Sequence, residues 1–247
     1  MINLTEKTIG EIVAKDYRSA AVFKAHKIDF CCKGNRTLSE VCENQNISRT
    51  VLNAELEKAM QKPNPEYPKF DFWSLDLLVD YIEKKHHRYV KGKIPEIQSY
   101  LEKICQVHGK AHPELMEVRQ LFEGAAHELV MHMHKEEKTL FPFIRILAEA
   151  ELEGKKDLSR PHFGTVGNPI KMMKHEHDSE GERFRNIAQL TDDYTPPESA
   201  CNTYKVAFAL LNEFQEDLHQ HIHLENNILF PKSILLEEKL LNKQNSK

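Results

Sequence analysis

Long apolar runs are missing from this chain of 247 residues. No stretch approaches the roughly 18 residues that a membrane span needs, so no membrane partner is expected. Glycine is scarce, at 9 residues, and tryptophan occurs once. Few glycines beside many Leu, Glu, Lys and Ala favour helix, and strand-like alternation is rare. An excess of positive charge is lacking too. Lys and Arg number 34 against 38 Asp and Glu, a net charge of −4. That gives no basic face for a phosphate backbone, and no nucleic-acid partner is expected. The opening residues, MINLTEKTIGEI, hold acidic positions and no apolar signal core, which points to a cytoplasmic protein. Nor is there an even set of cysteines. There are five, two of them adjacent, which in a reducing compartment suits thiol or metal chemistry better than a disulfide framework.

What is abundant is histidine, with 14 residues. Histidine is the commonest metal ligand, so its placement matters. Residues 1–62 read as a small helical domain, with short helices at Thr8–Lys15, Arg18–His26, Leu38–Asn44 and Ser48–Met60, and with Thr37 and Ser48 as N-caps. Lys62-Pro63-Asn64-Pro65-Glu66-Tyr67-Pro68 stops helix, because proline lacks a donor and disfavours helix just before it. Residues 63–247 then form the second domain. Four long helices are predicted there, over 74–91 with a continuation to 107, 113–149, 169–190 and 198–238.

An internal repeat carries the main signal. His132-Met-His-Lys-Glu136-Glu-Lys-Thr-Leu-Phe-Pro142 matches His221-Ile-His-Leu-Glu225-Asn-Asn-Ile-Leu-Phe-Pro231 at six of eleven positions, 221 − 132 = 89 residues later. A histidine stands upstream of each copy: 132 − 87 = 45 residues before the first and 221 − 177 = 44 before the second. Two helix hairpins of this kind make a four-helix bundle.

His and Glu four apart share one helix face. On the last helix Leu211, Phe214, Leu218, His221, Ile222, Glu225 and Leu229 form one apolar stripe. On the second, Val118, Phe122, Ala125, Leu129, His132, Met133, Glu136 and Leu140 do the same, and on the third Ile170, Met173, His177 and Phe184. The ligand-type side chains therefore point inward. A buried ionised glutamate is costly unless it is paired or bound to metal. Two such glutamates and four imidazoles suit a pair of iron or manganese ions with open positions better than tetrahedral structural zinc. On the first helix the periodicity leaves His86 and His87 both open. One His-x3-Glu alone is ordinarily a surface pair; two in register on apolar stripes are not. His26, His112, His127, His162, His175, His219 and His223 are expected to be solvated or to stand just behind the ligands, and His134, the counterpart of His223, lies with it off the apolar stripe. Met172-Met173 reads as packing, and Cys42, Cys105 and Cys201 as core positions. Cys31 and Cys32 stand beside the turn-like Lys33-Gly34-Asn35 and are expected on an exposed loop, as a thiol pair that exchanges iron, nitrosyl or electrons with a partner.

At these residues the chain resembles the Ric (repair of iron centres) proteins, a hemerythrin-like di-iron family. Asp29-Phe30-Cys31-Cys32-x-Gly34, the 132–142 segment, Glu176-His177-Asp178 and the 221–231 segment carry the resemblance, which covers nearly the whole chain. It implies an all-α hemerythrin-like four-helix bundle preceded by a small helical domain. It implies two iron ions, oxo- and carboxylate-bridged, on His87, His132, His177 and His221, with Glu136 and Glu225 as the bridges. His87 takes precedence over His86 through its spacing to Ile94-Pro95-Glu96. His108 matches a further family histidine, expected beside the site. The implied role is repair of iron–sulfur clusters damaged by nitrosative or oxidative stress. Damaged iron–sulfur proteins, nitric oxide and oxygen are the implied partners, nitric oxide reduction a possible activity, and a homodimer the implied assembly. The competing functions are a reversible carrier or sensor of oxygen, nitric oxide or iron, and a structural bundle without metal.

Overall fold

A computed structural model of the chain describes Leu4 and residues 6–61, 68–154 and 161–245. Most of the expected linker, residues 62–67, lies outside them. Among the described residues the fold is all-α, and the single β feature is an isolated bridge between Thr8 and Thr37. Four short helices come first: α1 (Ile9–Lys15), α2 (Ser19–Ala25), α3 (Leu38–Asn44) and α4 (Arg49–Met60). Thr8 and Thr37 each close a capping box, with Glu11 and Glu40, satisfying donors that the first turn would leave orphaned. Ser48 stands before α4 without a side-chain cap bond.

The longer helices contain widened turns. α5 (Leu75–Tyr81) passes through a π-turn at Ile82–His87 into α6 (Arg88–His108). α7 (Glu114–Lys135) passes through Glu136–Leu140 into α8 (Phe141–Glu153). α9 (Gly167–Leu190) is uninterrupted. α10 (Asn202–Leu224) passes through Glu225–Leu229 into α11 (Phe230–Asn245). The N–H of Phe141 reaches the carbonyl of Glu136, and that of Phe230 reaches Glu225, five residues back. Each shift comes just before Pro142 or Pro231. Proline has no N–H and clashes with the carbonyl four back, so the Leu-Phe-Pro of the repeat marks where the ladder changes register. The last long helix begins at Asn202, not 198, because Asp192, Asp193 and Tyr194 are left-handed and Pro196-Pro197 follow before the turn at Ala200.

The described residues divide into two compact units. The first runs from Met1 to Leu78 and takes in Leu147–Ser159 and Ile222–Lys247. Ile9, Phe23, Leu38, Leu52 and Leu56 fill its core. Lys232 Nζ is bonded to the carbonyl of Asp71 at 3.1 Å and to that of Trp73 at 2.5 Å. The second unit, Val79–Ile146 and Arg160–His221, holds four helical rods. Its centre is aromatic: Phe214 meets Phe122 edge-on at 5.4 Å and stacks on Phe184 at 5.6 Å. The predicted stripes are the buried faces; every residue named on them above is buried.

Candidate metal centre

In the second unit the four rods bring His87, His132, Glu136, His177 and His221 to one place, each exposed by 3% or less. His87 ends the first widened turn, His132 lies in the last turn of α7, Glu136 opens the next widened turn, His177 lies within α9 and His221 near the end of α10. Glu136 stands between two imidazoles: its Oε2 is 3.4 Å from His87 Nε2 and its Oε1 is 3.4 Å from His132 Nε2. His177 Nε2 faces His132 Nε2 at 3.0 Å. The rings of His87 and His221 lie 5.0 Å apart. His87, Glu136 and His221 offer ligand atoms within 4.8 Å of one another, and so do His132, Glu136 and His177. Glu136 thus belongs to two ligand groups at once. Glu225, fully buried, follows His221 by one turn of the same continuous helix.

The outer ring nitrogens are held by a second layer. His87 Nδ1 lies 2.8 Å from Glu137, which Lys91 Nζ approaches at 2.7 Å. His132 Nδ1 lies 2.8 Å from Glu176, which is also bonded to Lys135. Each imidazole therefore donates Nδ1–H outward and keeps Nε2 as an inward acceptor, the tautomer a metal ligand needs. The hydrogen bond from His132, helped by Lys135, holds the Glu176 carboxyl down at about 2. Burial pushes Glu137 up, but its bonds to Lys91 and His87 outweigh that and leave it below the usual carboxylate value. Both carboxylates stay ionised at neutral pH, where they orient and polarise the rings.

The widened turn before α6 buries both His86 and His87, at 0% and 1% exposure. An extra residue in a turn swings the next side chain round by about one position, which a plain helical period misses. His86 stands 3.0 Å from Asp217 and stacks on the His221 ring at 5.5 Å, outside the two ligand groups. His108 does not join them either. It ends α6, 108 − 87 = 21 residues past His87, about 30 Å along the helix at 1.5 Å per residue. There its Nε2 is 3.2 Å from Cys201 Sγ. Cys201 is exposed rather than core, just ahead of α10. Backbone N–H groups, Tyr204's first, and then His108 lower its thiol to about 7.

In the first unit Cys31 and Cys32 are less exposed than expected: Cys31 is buried and Cys32 half-buried. The Sγ atoms are 3.7 Å apart. His223 departs further from expectation. It is buried at 1% between the rings of Tyr17 and Phe30, with Asn227 Nδ2 3.0 Å from its Nδ1. Burial pushes its pKa down to about 3. Met173 is buried as packing, and Met172 is exposed.

The donor set in the second unit, buried imidazoles around a shared carboxylate, fits a bound cation and little else, since a fully buried glutamate without one would be strongly disfavoured. Comparison with known proteins agrees. Residues 79–233 match the hemerythrin HHE cation binding domain. The chain belongs to the hemerythrin HHE family. Residues 5–60 match ScdA_N, a domain of unknown function. The iron-sulfur cluster repair protein YtfE of Yersinia pestis (strain Pestoides F) is 32% identical over 231 residues, covering 92% of this chain and 96% of the relative. The protein of the same name from Yersinia pseudotuberculosis serotype IB is 31% identical over the same span. The hemerythrin domain implies iron binding, and the buried His and Glu groups supply the donors.

Within this hemerythrin bundle the residues that sequence reasoning left out are the outer ones: Glu137, Glu176, Lys91, Lys135 and Asp217. A signal for two of them is present, since Glu137 follows Glu136 directly and Glu176 precedes His177. An acidic residue beside a ligand on a helix points some 100° away from it, which is where the neighbouring rod's imidazole stands. Among the described residues no helix is long and apolar enough to cross a membrane.

Proposed function

We propose that this protein holds two iron ions in its hemerythrin bundle and serves in the repair of iron–sulfur clusters damaged by nitrosative or oxidative stress. His87 and His221 would hold one ion, and His132 and His177 the other. Glu136 and Glu225 would be shared between them. The carrying observation is Glu136, fully buried, with one carboxylate oxygen at 3.4 Å from each of two imidazoles that belong to different ligand groups. Glu225 supports this by its burial and by standing where Glu136 stands in the other copy of the repeat. Bound ferrous iron supplies exchangeable positions at which nitric oxide or dioxygen can bind. The chain's own part is to hold the donors in place. Glu137 and Glu176 orient His87 and His132, and Phe141, stacked on His87 at 5.6 Å, is an apolar wall that excludes water.

The repair role is supported by relatives named for it along nearly the full length of both chains. The vicinal thiols belong to the same role, because a simple gas carrier has no use for them, and they remain reduced in a cytoplasmic setting. A homodimer is the assembly carried by this proposal, to be read by analytical ultracentrifugation. The decisive experiment combines metal analysis with a repair assay. Iron near two ions per chain, and recovery of a nitric-oxide-damaged iron–sulfur enzyme on adding the protein, are the expected results. Loaded iron with no recovery, and only stoichiometric gas binding, would make it a carrier instead. Nitrous oxide released over many cycles would locate the activity in nitric oxide reduction; its absence beside recovered clusters would locate it in iron donation.

A further inference from the structure

We propose that Asp29, Cys31 and Cys32 form a separate site for a soft divalent cation, with two thiolates and one carboxylate oxygen as ligands. Their ligand atoms lie within 4.8 Å of one another. Two thiolates about 2.3 Å from a tetrahedral ion stand about 3.8 Å apart, and Cys31 Sγ and Cys32 Sγ are 3.7 Å apart. The pair is thus already spaced as the edge of a thiolate tetrahedron. It is far from the roughly 2.05 Å of a disulfide, which between neighbours would close a strained ring. Asp29 Oδ1 lies 3.5 Å from Cys31 Sγ.

The loop that carries these ligands is held from every side. Asp29 Oδ1 accepts the backbone N–H groups of Cys31 at 3.2 Å, Cys32 at 2.9 Å and Lys33 at 3.3 Å. Arg36 donates to the carbonyls of Lys33 at 3.0 Å and Asp29 at 3.2 Å. From the last helix, Asn226 donates to the Cys31 carbonyl and Asn227 to the Phe30 carbonyl, each at 3.2 Å. Gly34 lets the chain close here, since a Cβ on it would stand 2.6 Å from the Phe30 carbonyl oxygen and 2.9 Å from Asn227 Oδ1. Ligands fixed before the ion arrives lose little freedom on binding it. Cys32 is half-buried, which leaves one side of the triad reachable from solvent and a coordination position for an exchanging partner.

Binding replaces two S–H protons by one divalent ion, with both protons released to solvent and no electron transferred. Thiolate donors select iron(II) or zinc(II) over magnesium or calcium. The site stands on its own geometry; its use as a station for iron in transit rests on the repair function proposed above.

Cobalt(II) titration of the metal-free full-length protein tests it. Sulfur-to-cobalt charge-transfer bands are expected in the near-ultraviolet, because the bundle donors contain no sulfur. Cys31→Ser and Cys32→Ser should each abolish the bands with helical circular dichroism unchanged. Asn227→Ala, which loosens the loop without touching a ligand, should weaken cobalt binding about tenfold or more, the usual effect of removing an outer-shell support. If a serine variant fails to fold, alkylation of the parent decides: zinc(II) should slow iodoacetamide labelling of Cys32. Absence of the bands in the parent, bands that persist in the double serine variant, or Cys32 unprotected by zinc would overturn the proposal. Glu136→Leu separates the two centres, since it empties the bundle while the sulfur bands remain; bands lost in that variant would also overturn an independent site.

Discussion

The widened turns Glu136–Leu140 and Glu225–Leu229 are one local structure used twice, 225 − 136 = 89 residues apart. Each opens on a glutamate of 0% exposure and runs into Phe-Pro. Around that shared frame the outward positions differ in residue or in surroundings. Glu137 in the first is bonded to His87 and Lys91, on the side of the candidate metal centre. Its counterpart, Asn226, donates to the carbonyl of Cys31 and serves the thiol loop. Lys138 is exposed, whereas Asn227 is bonded to the same loop and to His223. His134 is exposed, whereas His223 is buried between Tyr17 and Phe30. The inward residue is the same in both copies, as the proposed bridging role requires, since a carboxylate can be shared between two cations. The outward residues are free to follow whatever packs on them. In the second copy the amino-terminal helices do so, and turn a solvated face into an interface.

The largest expected effect tests the shared part. Glu136→Leu and Glu225→Leu should each bring bound iron close to zero while the bundle stays helical, and should stabilise the metal-free protein by about 1–3 kcal/mol, because each removes a buried carboxylate that has lost its ion. Metal analysis and urea melts read both. If only Glu136→Leu empties the protein, the two turns are not equivalent and Glu225 is not a bridge.

The next effect tests the divergence. Glu137→Gln should lower iron affinity about ten- to hundredfold by loosening His87, measured by competition with a chelator. Asn226→Ala should leave that affinity unchanged and instead speed alkylation of Cys31. An equal loss of iron in both variants would mean that the turns share one function.

A smaller effect concerns stability alone. Asn227→Ala should cost about 1–3 kcal/mol in chemical denaturation, since it removes the hydrogen bonds to the Phe30 carbonyl and to His223. Its counterpart Lys138→Ala should stay within about 0.5 kcal/mol. Smallest of all, His134→Ala should be nearly silent on the same scale. His223→Ala, which opens a cavity between two rings, should exceed it by about 2 kcal/mol or more. Similar values for the two histidines would contradict the buried placement of His223.

The buried His and Glu cluster was legible because it is periodic. His132, Glu136, His177, His221 and Glu225 lie on apolar stripes that a helix of 3.6 residues per turn must bury, and the repeat doubles the signal. Three features were not legible. The choice between His86 and His87 depends on a π-turn, whose extra residue carries no mark in the hydrophobic pattern. The position of His108 beside Cys201 depends on the carboxyl end of α6 meeting the start of α10, a pairing between residues 201 − 108 = 93 apart. The burial of His223 depends on Tyr17 and Phe30, some two hundred residues away in the chain, so its own helix shows only that it lies off the main stripe.

By itself the sequence determined the helical class, the duplicated hairpin, the inward face of each rod and the chemical type of the polar side chains buried on it. These follow from local periodicity and from the cost of burying charge, and both are properties of short segments. Only the tertiary structure decided which carboxylates hold which imidazoles, how far the cysteines are covered, and where the two copies part ways. Those outcomes are set by contacts between segments distant in the chain, and such contacts leave no periodic trace in either partner.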